Sequence, residues 1–209
     1  MRRLILRFVT AAQLTRLTVA FGAVSDVWFI TLHARATAEA NSTLPVVTMP
    51  LWLALFAGAT LAIGLFAYGA ALNDVLDARH DSAFSPDRPI PAGRIRPAQA
   101  IIVTISALIV GVLSGAAFGP WGLRLTLLVA VGILFYNAAG KYLPSVGFVT
   151  IGLIHAAHMF IPNPQLSFTL PVWLIMTHAM VIAAAAYRRE QKRPPIRPGS
   201  IAWTVAGWL

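Results

Sequence analysis

Six long stretches of the sequence are almost free of charge and long enough to cross the hydrocarbon core of a membrane. A spanning helix needs about 20 mostly apolar residues, because the core is about 30 Å thick and each residue adds about 1.5 Å. Of the 209 residues, 58% are hydrophobic and 11% are charged, unlike a soluble domain. The stretches run approximately over Leu17–Ala34, Met49–Leu72, Ala98–Phe118, Leu123–Ala139, Leu143–Ile161 and Leu166–Tyr187.

These stretches predict an all-α, polytopic bundle of transmembrane helices that forms one membrane-embedded domain over residues 1–209. A seventh apolar stretch begins at Ser200 but reaches only Leu209, the last residue. At 1.5 Å per residue it covers about 15 Å, which is about half of a span. We therefore expect six full spans and the start of a seventh, in a domain that is incomplete at its C-terminus.

The basic residues lie between the apolar stretches, and their distribution predicts the orientation of the chain. Cytoplasmic loops of membrane proteins carry an excess of Lys and Arg. If the N-terminus is cytoplasmic, the outer side holds only Arg35 and Arg124, and the inner side holds thirteen basic residues. These are Arg2, Arg3, Arg7, Arg79, Arg88, Arg94, Arg96, Lys141, Arg188, Arg189, Lys192, Arg193 and Arg197. We expect a bacterial inner (plasma) membrane protein with a cytoplasmic N-terminus, and no nucleic-acid partner.

A cluster of acidic residues follows the second apolar stretch directly, where residues 73–81 read NDVLDARHD. If this segment continues the preceding helix, Asn73, Asp74, Asp77 and Asp81 fall within an arc of about 100°. Carboxylates beside hydrocarbon are costly unless a cation lies between them. Hard oxygen ligands suit Mg²⁺, which takes its remaining ligands from waters and phosphate oxygens. The segment therefore predicts a Mg²⁺ ion that holds a diphosphate.

The same segment resembles the first signature of the UbiA superfamily of intramembrane prenyltransferases. That signature is N-D-x-x-D-x-x-x-D, followed downstream by R-P-x-P-x-G. The chain matches it at Asn73, Asp74, Asp77, Asp81, Arg88, Pro89, Pro91 and Gly93. The resemblance implies a bundle that normally has nine transmembrane helices. It also implies an enzyme similar to 4-hydroxybenzoate polyprenyltransferases, with a place in quinone biosynthesis, or a divergent branch of that family.

The resemblance further implies a reaction and roles for single residues. A prenyl diphosphate would donate its prenyl group to a hydrophobic, often aromatic, acceptor among membrane lipids. Mg²⁺ would be held by Asn73, Asp77 and Asp81, and the catalytic groups would be Asp77, Asp81, Arg88 and Lys141. Tyr136 and Lys141 resemble the family's Y-x(4)-K element. The implied substrate-binding residues are Arg16, Asn73, Asp74, Tyr136 and Asn137. Arg188, Arg189 and Lys192 are further candidates, in a loop where the chain departs from the family pattern.

The loop after the sixth stretch departs from the family pattern. Residues 187–195 read YRREQKRPP, with no aspartate where the family has a second Asp-rich motif. Either its basic side chains contact diphosphate in place of a second metal, or they anchor the loop in the cytoplasm. The alternatives are a degenerate member that binds a prenyl lipid without catalysis, a CDP-alcohol phosphotransferase, whose D-G-x-x-A-R element is absent, and a transporter-like bundle.

A few ionisable residues lie within the apolar stretches themselves. Asp26 is about 15 Å along a helix from Arg16, too far for a direct pair, so it needs a partner on another helix. His155 and His158 share a helix face, and His178 lies in the sixth stretch. Without an evident third ligand, neutral hydrogen-bonded histidines are favoured over a metal site.

Overall fold

The computed structural model describes Leu14, Arg16 and residues 20–190 and 194–209. Within these residues the chain forms nine α-helices and no strand, so the predicted all-α class is confirmed. The helices are α1 (Phe21–Ala36), α2 (Pro45–Thr48), α3 (Leu51–Leu76), α4 (Ala78–Phe84), α5 (Pro97–Ala116), α6 (Gly119–Ala138), α7 (Pro144–Phe160), α8 (Leu170–Arg189) and α9 (Pro198–Trp208). A 3₁₀ turn, Gly140–Tyr142, joins α6 to α7.

Four of the described helices, α3, α5, α6 and α8, are long and apolar enough to cross a membrane by length and composition. The other two predicted spans correspond to α7, with 17 residues, and to α1, with 16 described residues. The structure therefore supports four of the six predicted full spans at full length. The predicted start of a seventh span corresponds to α9, which has 11 residues.

The helix α3 lies at the centre of the bundle and packs against α1, α5 and α6. The backbones of α3 and α5 approach each other closely: a Cβ atom added to Gly64 would lie 2.6 Å from the backbone nitrogen of Gly111. Small residues at such crossings let helix backbones meet in a membrane protein. Leu61 and Leu65 of α3 form the main apolar cluster together with Val129 of α6.

The polar end of α3 is the place where the acidic residues lie. The helix ends at Leu76 and α4 begins at Ala78, with Asp77 as a break between them. The backbone N–H of Asp77 donates to the carbonyl of Asn73 at 2.9 Å, and that of Asp81 donates to the carbonyl of Asp77 at 2.8 Å. The helical hydrogen bonding thus continues through the break, so the acidic residues remain at one end of the bundle.

Candidate active site

Lys141 is distant in sequence from the acidic motif, and its side chain contacts three oxygen atoms of that motif. Its Nζ donates to both carboxylate oxygens of Asp77 at 2.7 Å each and to Oδ1 of Asn73 at 3.1 Å. The Lys141 and Asp77 side chains are only 13% and 19% exposed. Charge-assisted hydrogen bonds of this length are among the strong ones in proteins. Lys141 therefore binds the end of α3 as a cation.

The 3₁₀ turn that carries Lys141 is fixed by close packing against α7. A Cβ atom added to Gly147 of α7 would lie 2.9 Å from the carbonyl oxygen of Gly140. The backbone N–H of Gly147 also donates to the carbonyl of Leu143 at 2.7 Å. Because the turn is held this closely, the lysine stem begins at a fixed point beside the motif.

Arg88 contacts the other two carboxylates of the motif. Its Nη1 lies 2.7 Å from Oδ2 of Asp81 and 3.3 Å from Oδ1 of Asp74. Both aspartates are buried, with 4% of each residue exposed. The Arg16 guanidinium lies 3.7 Å from the same oxygen of Asp74. Buried carboxylates persist as ions only when they are paired and hydrogen-bonded, and Arg88 supplies most of that pairing.

The loop that carries Arg88 is a compact turn, which explains the R-P-x-P-x-G pattern. The N–H of Arg88 donates to the carbonyl of Ser85 at 3.0 Å, and the N–H of Ala92 donates to the carbonyl of Arg88 at 2.9 Å. Gly93 has a φ of +67°, a backbone conformation that glycine adopts without strain. Beside this turn lies an open depression of about 530 Å³, lined by Phe84, Ser85, Pro86, Asp87, Arg88, Pro89 and Arg94.

The oxygen atoms of the acidic motif are of the kind that suits Mg²⁺. Three oxygens of Asn73 and Asp77 already converge on one cationic atom, the Nζ of Lys141, within 3.1 Å. Hard oxygen atoms of this type suit Mg²⁺. The three carboxylates of the site are matched by three basic side chains of the chain itself. A bound diphosphate would add negative charge, which one more cation would offset.

The structure divides the predicted ligand set between two cations. Asn73 and Asp77 contact Lys141, whereas Asp81 shares Arg88 with Asp74. Among the described residues, no group of three or more His, Cys, Asp or Glu side chains is arranged to hold a metal ion. The predicted Mg²⁺ ion and its three ligands therefore stay a prediction.

Tyr142 is a neighbour of the acidic motif that the sequence argument missed. Its hydroxyl lies 3.4 Å from Oδ1 of Asp77, and its ring centroid lies 5.4 Å from the Nζ of Lys141. Burial, the charge of Asp77 and the hydrogen bond to it raise the pKa of Tyr142, so its hydroxyl remains a donor. Its position next to Lys141 was the only signal in the sequence.

Tyr136 and Asn137 lie near the end of α6 but differ in their surroundings. The Nδ2 of Asn137 donates to the carbonyl of Ile133 at 3.0 Å, one turn earlier in the same helix, and the residue is buried. Asn137 thus has a local partner in the structure. Tyr136 is half-buried and lies within electrostatic reach of Glu190, which follows α8.

The basic residues after α8 are only partly described. Arg188 and Arg189 end that helix and are exposed. Within the part of the chain that the structure describes, no ion pair joins either of them to the acidic motif. Lys192 lies outside the described residues. The proposed contact of these three side chains with diphosphate stays a prediction.

The ionisable residues within the helices lie apart from this site. Among the described residues, no hydrogen bond or ion pair joins Asp26 of α1 to His178 of α8, which lies within electrostatic range of it, so the partner expected on another helix stays a prediction. His158 is 6% exposed, and its Nε2 has no hydrogen-bond partner among the described residues. The buried Oγ1 of Thr31 in α1 is likewise unpartnered there. The expectation of hydrogen-bonded histidines therefore does not hold for the Nε2 of His158.

Comparison with known proteins agrees with this fold. The model of the UbiA prenyltransferase family matches residues 27–194. A digeranylgeranylglyceryl phosphate synthase of Methanothrix thermoacetophila is 37% identical over 86 residues, which are 41% of this chain and 32% of that protein. The bacteriochlorophyll synthase 33 kDa chain of Cereibacter sphaeroides is 27% identical over 121 residues, which are 56% of this chain and 40% of that protein.

A solved structure has the same fold. It is described as digeranylgeranylglyceryl phosphate synthase in membranes, and it aligns with 96% of this chain and 73% of its own, with a TM-score of 0.73 and 16% identity. At this identity the likeness concerns the fold alone. The matches to the two relatives named above span less than half of those proteins' lengths.

Proposed function

The chain belongs to the UbiA prenyltransferase family, and from that premise we propose that it transfers a prenyl group from a prenyl diphosphate to an acceptor within the membrane. Its long apolar helices make it an integral membrane protein. The observation that carries the proposal is the convergence of Lys141 and Arg88 on the carboxylates at the end of α3. Positive groups at this place suit a diphosphate whose prenyl tail lies in the apolar part of the bundle.

The proposed reaction breaks the C–O bond between the prenyl group and diphosphate. Negative charge grows on the diphosphate as this bond breaks, and Arg88 and Lys141 donate hydrogen bonds that stabilise it. Mg²⁺, bound by Asn73, Asp77 and Asp81, would supply further positive charge to the leaving diphosphate. A nucleophilic atom of the acceptor then forms a bond to the prenyl carbon and loses its proton.

The donor and acceptor are proposed by class. Two of the similar proteins are named for digeranylgeranylglyceryl phosphate and for bacteriochlorophyll, which are chemically different. We therefore propose a long prenyl diphosphate as donor and a lipid-like acceptor. An aromatic acceptor and a place in quinone biosynthesis remain predictions from the sequence. So do Arg16, Tyr136, Asn137 and the basic loop with Arg188, Arg189 and Lys192 as further contacts to substrate.

The decisive variant for the site is Asp77→Asn, because it keeps the shape of the side chain and removes its charge. We expect this variant to lose most Mg²⁺-dependent binding of geranylgeranyl diphosphate. It should unfold at a lower temperature, because Lys141 loses its carboxylate partner, but remain folded at the temperature of the titration. Asp87→Asn, the same change on the exposed loop, is the matched control and should bind normally. Calorimetric titration in detergent measures both. An Asp77→Asn variant that binds as tightly as the wild type, and still needs Mg²⁺, would refute the proposed site.

A second function, binding of a prenyl lipid without catalysis, is favoured by one observation. Residues 187–195 hold a single acid where the family pattern has a second Asp-rich motif. The two functions differ in their products. Release of diphosphate from geranylgeranyl diphosphate in the presence of extracted membrane lipids supports the transferase. Binding with no release, under conditions in which the protein is folded, supports the binder.

A further inference from the structure

Lys141 is positioned both to block the metal ion and to contact the diphosphate. We propose that Lys141 occupies the oxygen atoms meant for the metal ion, and moves to the diphosphate when the metal ion takes its place. Metal and diphosphate then strengthen each other's binding. This inference rests on the proposed function, because it concerns the same site and substrate.

The Lys141 ammonium and the metal ion would occupy the same position. The Nζ of Lys141 lies within 3.1 Å of Oδ1 of Asn73 and of both carboxylate oxygens of Asp77. A Mg²⁺ ion bound to these oxygens needs distances of about 2.0 to 2.1 Å. The ion and the ammonium would therefore be almost in contact, and two cations repel each other strongly at such a separation. Both cannot use this oxygen set together.

Lys141 is better able to leave the acidic motif than Arg88 is. Arg88 contacts two carboxylates that are each 4% exposed, so its departure would leave two buried charges without their main partner. Lys141 contacts a single carboxylate, Asp77, whose side chain is 19% exposed. Its ammonium is carried on a flexible four-carbon stem. Lys141 is therefore the cation that exchanges, and Arg88 stays with the motif.

The ammonium of Lys141 is able to reach a diphosphate when it leaves Asp77. The turn Gly140–Tyr142 fixes the start of the lysine stem beside the motif, so the ammonium moves only over the length of one side chain. A diphosphate bound at the same end of α3 lies within that range. Binding of the metal ion then raises the affinity for diphosphate, and binding of diphosphate raises the affinity for the metal ion. Thermodynamic linkage makes the two changes equal.

The variant Lys141→Met separates this role from that of a structural ion pair. Removing the ammonium frees Asn73 and Asp77, so the variant should bind Mn²⁺ alone at least about tenfold more tightly than the wild type. It should also bind geranylgeranyl diphosphate in the presence of Mn²⁺ more weakly, by about tenfold, because the contact to diphosphate is lost. Arg79→Gln, on an exposed residue two positions from Asp77, removes the same charge and should change neither affinity.

Titration of Mn²⁺ followed by electron paramagnetic resonance, with the protein in detergent, measures the binding of the metal alone. If Lys141→Met does not fold, Lys141→Gln is titrated in the same way. Tighter Mn²⁺ binding together with weaker diphosphate binding supports the exchange. Unchanged or weaker Mn²⁺ binding in the folded variant overturns it and leaves the proposed function standing. Failure of the wild type to bind geranylgeranyl diphosphate with Mn²⁺ overturns the proposed function as well.

Discussion

Asp74 and Asp81 are buried carboxylates, and Arg88 is the side chain that makes their burial tolerable. Each aspartate is 4% exposed, and both accept from the same guanidinium nitrogen. The Coulomb attraction of such a group to two carboxylates offsets much of their loss of hydration. Arg88 therefore holds the end of α3, α4 and the following loop together, in addition to any contact with substrate.

Replacing Arg88 by Gln tests this structural role. Breaking a buried ion pair usually costs about 3 to 5 kcal/mol, and we expect about 3 kcal/mol here because the Arg88 side chain is partly exposed. Thermal unfolding in detergent, followed by tryptophan fluorescence, measures the loss. The control is Arg79→Gln, which should stay within about 0.5 kcal/mol of the wild type because it is a surface substitution. Equal stability of the two variants would contradict the account of Arg88.

The sequence predicted which residues gather at the site but not how they pair. The spacing of Asn73, Asp74, Asp77 and Asp81 predicts one continuous helix. In the structure Asn73 and Asp74 lie in α3, Asp77 is the break and Asp81 lies in α4, so the four residues share one end of the bundle but not one helix. The pairing depends on where the loop of Arg88 and the turn of Lys141 return to the helix. Those positions follow from packing between distant parts of the chain, which spacing along one helix does not report.

At the scale of the helices, α3 and α5 cross with their backbones in contact. An added Cβ on Gly64 would meet the backbone of Gly111 at 2.6 Å and the carbonyl of Ala107 at 3.0 Å. Backbone atoms cannot move aside as a flexible side chain does. The helices would therefore have to separate, and α3 carries the acidic motif at one end.

The variant Gly64→Ala should consequently destabilise the protein although alanine is the better helix former. Overpacking of this type costs about 1 to 3 kcal/mol. Gly22→Ala in α1 is the matched control, since nothing lies within 4 Å of its added Cβ. The control should be neutral or stabilised by up to about 1 kcal/mol. Thermal unfolding of both variants gives the comparison, and a Gly64→Ala variant as stable as the control would disprove the close crossing.

The helices themselves were largely predictable, and their lengths were less so. Apolar runs identified all six long elements from α1 to α8, because burial in hydrocarbon requires such runs. Four of these elements, α1, α5, α7 and α8, are one or two residues shorter in the described residues than the predicted spans. Hydropathy does not distinguish a residue inside a helix from an apolar residue beside it, as at residues 161–169 between α7 and α8.

In the whole molecule, the two basic residues that are predicted to lie on the outer side have local partners. Arg35 donates from Nη1 to the carbonyls of Val46 and Met49, each at 2.8 Å. The guanidinium of Arg124 lies 4.8 Å from the ring centroid of Trp121. These two side chains thus serve local structure, and they do not weaken the charge asymmetry that predicts the orientation.

The orientation is tested by single-cysteine labelling, for which the absence of native cysteines is an advantage. Ser85→Cys places a thiol at the rim of the depression beside Arg88. In intact cells, a membrane-impermeant reagent should leave this thiol unlabelled, and should label it once the cytoplasmic face is opened. Thr43→Cys, in the loop between α1 and α2, should behave in the opposite way. The reverse pattern would invert the predicted topology.

We expect the charged end of α3 to recognise a diphosphate, and the affinities of two ligands with the same tail test this recognition. Geranylgeranyl diphosphate and the alcohol geranylgeraniol share a tail and differ only in the head group. Calorimetric titration of the wild-type protein in Mg²⁺ should show the diphosphate binding at least about 100-fold more tightly, since two or more charge-assisted contacts are involved. Removing Mg²⁺ with EDTA should reduce this difference. Equal affinities for the two ligands, with and without Mg²⁺, would contradict the account.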